Sequence, residues 1–213
     1  KITGGGNLIL GSESFKNAEL KGNTGDGSSI TYELTGGATM ANTNSNRYFR
    51  WTTVGAYVAK GVTLCLSVMY KPVSGADEFC MEIAYTAGYS TSQSWATIKP
   101  TDQLEIEQTD GWVLRYGLWT PPDNATLKLV DMGSGTTHAG TGNYTNKFSL
   151  LHPMLQYGNA PTAWNASSGD YLTQESAKSL FSQTADEIKT EVTKSVTETV
   201  TANVKDTATS PAN

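Results

Sequence analysis

The stretch HPMLQYGNAPTAW, His152 to Trp164, divides the chain into two unlike parts. Before it, apolar residues recur at every second position between polar turns, the pattern of half-buried strands. After it, from Tyr171, they recur at helical spacing. Composition divides at the same place. Residues 1–164 hold all five Trp and nine of the ten Tyr, whereas the last 49 residues hold one Tyr, one Phe and no Trp. The sequence therefore predicts one globular domain followed by a segment without a compact core of its own.

Within the first part, Leu64, Leu66 and Val68 alternate with Cys65 and Ser67 in the longest strand candidate, Val62 to Tyr70. Ile30, Tyr32 and Leu34 alternate with Thr31 and Glu33, which predicts one apolar and one polar face. Further candidates are 7–10, 47–54, 79–85, 104–108, 112–119, 126–131 and 147–157, with Trp51 and Tyr48 expected in the core. Gly-Asn-Thr-Gly-Asp-Gly (22–27), Pro-Val-Ser-Gly-Ala-Asp (72–77), Pro-Pro-Asp-Asn (121–124) and the Gly/Thr-rich 133–142 supply turn residues between them. Many short strands with no convincing helix before residue 170 predict an all-β fold, an antiparallel two-sheet jelly-roll sandwich. The expected boundaries are a linker at 1–6, the sandwich at 7–164, a linker at 165–170, a helical stem at 171–205 and a tail at 206–213.

Bulk properties exclude several function classes. A net charge of −5 without a basic cluster gives no electrostatic reason to expect nucleic acid or an anionic membrane as partner. No apolar run approaches 18 residues, and the Lys-Ile-Thr-Gly-Gly-Gly start reads as a linker within a longer polypeptide. Cys65 and Cys80 are too few for a disulfide framework and read as buried thiols, with a single bridge as the alternative. His138 and His152 lie far apart with no Cys or carboxylate at metal-ligand spacing, so no zinc is expected. Asn-x-Ser/Thr sequons at Asn124, Asn143 and Asn165 are explained by an Asn-, Ser- and Thr-rich composition as well as by secretion.

Several stretches carry a resemblance. Asn7-Leu8-Ile9-Leu10-Gly11, Gly61 to Val68, and Gly111-Trp112 followed by Thr120-Pro121-Pro122-Asp123 resemble strands and turns of carbohydrate-binding-module-like jelly rolls in bacteriophage tail proteins. Pro153-Met154-Leu155-Gln156-Tyr157-Gly158-Asn159 with Thr162-Ala163-Trp164 resembles their closing motif, P-x-L-E-x-G-x-x-x-T-x-W. The similarity covers about 155 residues. Gln156 stands where the family commonly has Glu, and Phe148 to Leu151 replaces an Asp-containing strand, which puts a family-type structural calcium in doubt. No other cofactor is implied. The resemblance implies a virion-tail protein whose partners are a host cell-wall polysaccharide, neighbouring tail domains and further copies of itself. On physical grounds the closing motif reads as a lock, with Gly158 turning the chain back and Trp164 packing over the open end of the core.

In the second part Phe181, Ala185, Ile188 and Val192 follow heptad spacing, and Val196, Val200 and Val204 continue it at intervals of four, a coiled coil with a stutter. Its Thr- and Val-rich composition makes an isolated helix marginal, so partners must supply its stability. A homotrimer is favoured because phage fibres are commonly threefold; a helix packed back on its own domain is the alternative.

For chemistry, Asp77/Glu78 and Glu105/Glu107 are the paired carboxylates a glycosidase would need, but Glu105 and Glu107 alternate with Leu104 and Ile106 and read as the wet face of a strand. No nucleophile motif or phosphate loop appears, so a non-enzymatic role is expected. Aromatic residues are the stronger signal, because sugars stack their C–H faces on rings. Trp95, with Tyr89 and Gln93, sits in the polar run 88–95 and is the first candidate saccharide platform; an edge strand covering the sandwich rim is the alternative. Arg115 beside Tyr116 is the second candidate. A structural spacer domain and a tail-associated hydrolase are the competing functions.

Overall fold

The computed structural model describes residues 6–23, 27–135 and 142–167, so the expected stem, the tail and His138 lie outside the described residues. Eleven strands occur among the described residues: β1 (Glu19–Asn23), β2 (Ser29–Tyr32), β3 (Ala38–Thr52), β4 (Tyr57–Val58), β5 (Leu64–Gly75), β6 (Phe79–Ala87), β7 (Gln93–Ile98), β8 (Leu104–Glu107), β9 (Val113–Trp119), β10 (Ala125–Ser134) and β11 (Tyr144–Tyr157). All pair antiparallel, in the order β7-β6-β10-β3-β11-β5-β9-β8, with β1 and β2 on β3 and β4 on β10. The all-β antiparallel class is as the alternation predicts.

The expected jelly-roll sandwich is consistent with this order, and its two halves are joined by hydrogen bonding that runs continuously through β3. The 15 residues of β3 pair with β2 and β11 up to Ser45, and with β1 and β10 from Asn46. The curled sheet thus has a β10 half and a β5 half, closed over one core. Phe15 meets Phe49 and Trp51 edge-on at 4.9 Å each, Tyr70, Phe79 and Phe148 form a second aromatic group, and Tyr85 meets Trp119 at 4.6 Å. Gly117 permits a close approach of the two halves, since a Cβ there would lie 2.4 Å from Ile98.

The alternating strands lie close to where the pattern puts them, with a few departures. Residues 38–46, outside every strand candidate, form the first half of β3. Their side chains join Asn42, Ser45, Asn146 and Ser134 in a buried hydrogen-bonded network that the sequence does not reveal. Leu34 is fully exposed in the turn after β2, and Tyr32 is 39% exposed although its ring reaches that of Phe49 at 6.5 Å. The segment 7–10 makes isolated bridges and not a strand. Cys65 and Cys80 are free, buried thiols whose pKa burial pushes up to about 12.

Candidate functional site

Register and burial fix which side chains leave the core. In the β10 half, Phe49, Trp51, Val130, Met132, Met81 and Ile83 point inward. The positions between them point outward, and strand pairing aligns them across four strands. Arg50 lies opposite Asp131, Asp131 opposite Glu82, and Glu82 opposite Thr97, with Trp95 and Gln93 following on β7. Tyr48 is buried as expected, but it lies on this outer face, two residues from Arg50 on the side away from Phe49 and Trp51.

At the centre of this face Arg50 donates from Nε to Asp131 Oδ1 at 2.8 Å and from Nη2 to Oδ2 at 2.7 Å, a bidentate fork. The Asp131 side chain is wholly buried and that of Arg50 is 18% exposed. The hydrogen bond to Asp131 is the main reason the Arg50 pKa rises, against the opposing cost of burial. The guanidinium lies 5.3 Å from the Trp95 ring centroid and 5.5 Å from that of Tyr48, within cation–π range. Thr97 Oγ1 donates to Glu82 Oε1 at 3.0 Å. A half-buried indole is thereby set beside oriented polar groups. Such an arrangement can stack on a flat C–H surface and pair with hydroxyls. Asp131 is not available as a proton acceptor while Arg50 holds both its oxygens.

The sequence-predicted residues fall in different places. Trp95 and Gln93 share the outer face. Tyr89 is fully exposed in the turn between β6 and β7, where with Tyr57, Asp123 and Asn124 it lines a depression of about 380 Å³. Arg115 and Tyr116 do not form a groove pair, because successive strand residues point to opposite faces. Arg115 points inward and is buried, its guanidinium 3.9 Å from the Tyr70 ring centroid and hydrogen-bonded to Asp77 at 2.8 Å and to Glu105. Burial pulls its pKa down, but Asp77 and Glu105 outweigh that and leave it raised. Tyr116 is half-buried on the outer face of the β5 half. Glu105 is therefore not merely a wet-face residue: it turns toward Arg115, while Leu104 and Ile106 on this edge strand are exposed. Arg50, Asp131, Glu82 and Tyr48 were missed by the sequence reading. The alternation of Tyr48 and Arg50 with Phe49 and Trp51 was the available signal. Among the described residues no group of three or more His, Cys, Asp or Glu side chains is placed to hold a metal ion.

The closing segment folds back as a lock, though not over the core. Gly158, at φ +124°, reverses the chain, and residues 159–164 lie over the outer face of β11. Gln156, fully buried, holds them by donating from Nε2 to Ala160 O and accepting from Thr162 Oγ1, each at 2.7 Å. Trp164 is half-buried, stacked on His152 at 4.5 Å, and donates from Nε1 to Pro153 O at 3.2 Å. The expectation that it caps the open end of the core is corrected, because the buried Gln156 draws the segment onto the sheet's outer surface. Asn7 fastens the same region from the other end, bonding Pro153 O, the Leu155 N–H and Asn165.

The fold and this face define an antiparallel β module with an outward platform of rings, charge and hydrogen-bonding groups. No family model and no curated protein matches the sequence. Solved structures similar to the chain include the enzymatically active domain of bacteriophage CBA120 tailspike protein 4, with a TM-score of 0.46 and 11% identity over 71% of this chain. They also include the CBM22-1 and GH10 modules of Clostridium thermocellum endo-1,4-beta-D-xylanase 10B in complex with xylohexaose (TM-score 0.41, 15% identity, 76% of this chain). A family 16 carbohydrate-binding module gives 0.39 and 15% over 70% of this chain and 99% of its own. The chain spans only 21% of the tailspike chain and 30% of the xylanase chain.

Proposed function

We propose that the domain is a jelly-roll adhesion module of a phage tail that binds a host cell-wall saccharide through the outer face of its β10 half. The observation that carries this reading is the Trp95 indole set beside the Arg50–Asp131 fork. Aromatic surface and oriented hydrogen-bonding groups meet there on a rigid sheet, and this is what recognition of a ring with a C–H face and a hydroxyl rim requires. Trp95 supplies the stacking surface, Arg50 the charged donor beside it, and Gln93 extends the face toward Tyr89. Arg115 belongs to the fold and not to the site. The role is binding and not hydrolysis, since the Asp131 carboxylate is held by Arg50. The tail assignment rests on the resemblance of the closing motif, and assembly through a trimeric helical stem rests on the heptad spacing from Phe181 to Val204.

A glycan array of purified cell-wall polysaccharides, probed with the parent and with Trp95→Ala, tests the reading. Binding by the parent that the variant loses supports it. Binding that survives intact in the variant would move the site elsewhere, and a parent that binds no wall polysaccharide would favour a spacer domain.

A further inference from the structure

On the opposite side of the sandwich, the returning segment 159–164 and the outer face of the β5 half enclose a pocket of about 180 Å³. Trp164, Met69, Leu114 and Met154 give it apolar walls, and Ser67, His152, Thr162 and Gln108 bring polar groups. Drug-sized sites occupy about 300–1,000 Å³, so this one has room for a single ring and not for a chain.

Two features mark it as more than a packing gap. Ser67 is 2% exposed, and its hydroxyl, which bonds no other described residue, lines the pocket. His152 adopts φ +57°, an uncommon backbone conformation for a residue other than glycine, in the irregular stretch where β11 shifts register between Leu151 and Met154. Local strain of this kind gathers at binding sites. Here it sets the imidazole against Trp164, with no hydrogen-bond partner on either ring nitrogen among the described residues.

The chemistry selects a ligand class. No Lys, Arg, Asp or Glu lines the pocket, so a phosphate, carboxylate or ammonium group would be desolvated without a counter-charge. Burial also lowers the His152 pKa and keeps the ring neutral near pH 7, able to donate at one nitrogen and accept at the other. We propose that this pocket is a second binding site, for one uncharged pyranose unit such as a terminal or side-branch sugar, held against Trp164 with its hydroxyls bonded to Ser67 and His152. The site stands apart from the Trp95 face and does not depend on it.

Titration of the isotope-labelled chain with methyl glycopyranosides of glucose, galactose and N-acetylglucosamine, followed by NMR, tests the proposal. At least one glycoside is expected to shift the Trp164 indole N–H and His152 ring signals saturably, at the millimolar level typical of a single small ring. Ser67→Ala should weaken that binding roughly three- to tenfold, the share of one neutral hydrogen bond, with an unchanged Tm. Ser67→Leu, which fills the pocket, should abolish it. Trp95→Ala should leave it unaltered, which separates this site from the other face. Signals that stay still up to about 100 mM, tighter binding of phenol or indole than of every glycoside, or equal glycoside binding by Ser67→Leu would each overturn the proposal.

Discussion

The guanidinium of Arg50 lies 5.3 Å from the Trp95 ring centroid while both its bonded nitrogens are committed to Asp131. The ring is thus held by a cation that is itself fixed, so under the proposed function the platform is set before any ligand arrives. That preorganisation lowers the ordering cost of binding.

Removing the ring separates binding from stability. Trp95→Ala is expected to lower stability by only about 1–2 kcal/mol, the value of a half-buried ring and one cation–π contact. Binding to host cell walls should weaken at least tenfold, about 1.4 kcal/mol. Thermal melts and a cell-wall pull-down check the two halves; unfolding of the variant would place Trp95 among the structural residues.

Removing the cation acts the other way. Arg50→Met leaves the wholly buried Asp131 side chain without its counter-charge, so the loss should reach about 3–5 kcal/mol. Urea unfolding measures it. A loss under about 1 kcal/mol would show that water reaches Asp131.

The closing lock depends on an amide, because only an amide can donate to Ala160 O and accept from Thr162 at once. Gln156→Glu removes the donor and buries a charge, at a cost of about 2–3 kcal/mol at neutral pH. The deficit should narrow at acid pH, where a protonated carboxyl can donate again. Denaturant melts at two pH values check this.

His152 supplies a pH dependence whose sign follows from its lowered pKa. Between the folded pKa and the ordinary value near 6.5, the unfolded chain binds the proton and the folded chain does not. Stability from this group is therefore full above about pH 6.5 and falls as pH drops through that window. His152→Asn tolerates the positive φ but cannot ionise, so its melting temperature should depend less on pH there than the parent's. Parallel curves for the two proteins would contradict the assignment.

Trp164→Ala measures where the closing ring sits. A fully buried Trp would cost about 3–5 kcal/mol; half-buried on the outer face of β11 and tied by one hydrogen bond, it should cost about 1–2 kcal/mol. Calorimetric melts distinguish the two.

The sequence by itself determined the all-β class, most strand positions, the chain reversal at Gly158 and the outward placement of Trp95 beside Gln93. These are local matters: a period of two, a glycine's freedom, and an aromatic in a polar run can each be read within a few residues. It could not determine what lies opposite what. Arg50 is an ordinary strand residue until pairing brings Asp131 from 81 positions away. Asn42 and Ser45 look like turn formers until Asn146 and Ser134 satisfy them. The pleat alone sends Arg115 and Tyr116 to opposite faces, but only the pairing of β9 with β5, which sets Arg115 opposite Val68, decides that Arg115 is the one turned inward against Tyr70. Even the closing lock was legible as a lock but not as to place, because Gln156 had to be buried before it could hold Thr162 over the sheet. Only the tertiary structure decides such matters, because hydrogen-bond satisfaction and charge pairing depend on strand register, and register joins residues that lie far apart along the chain.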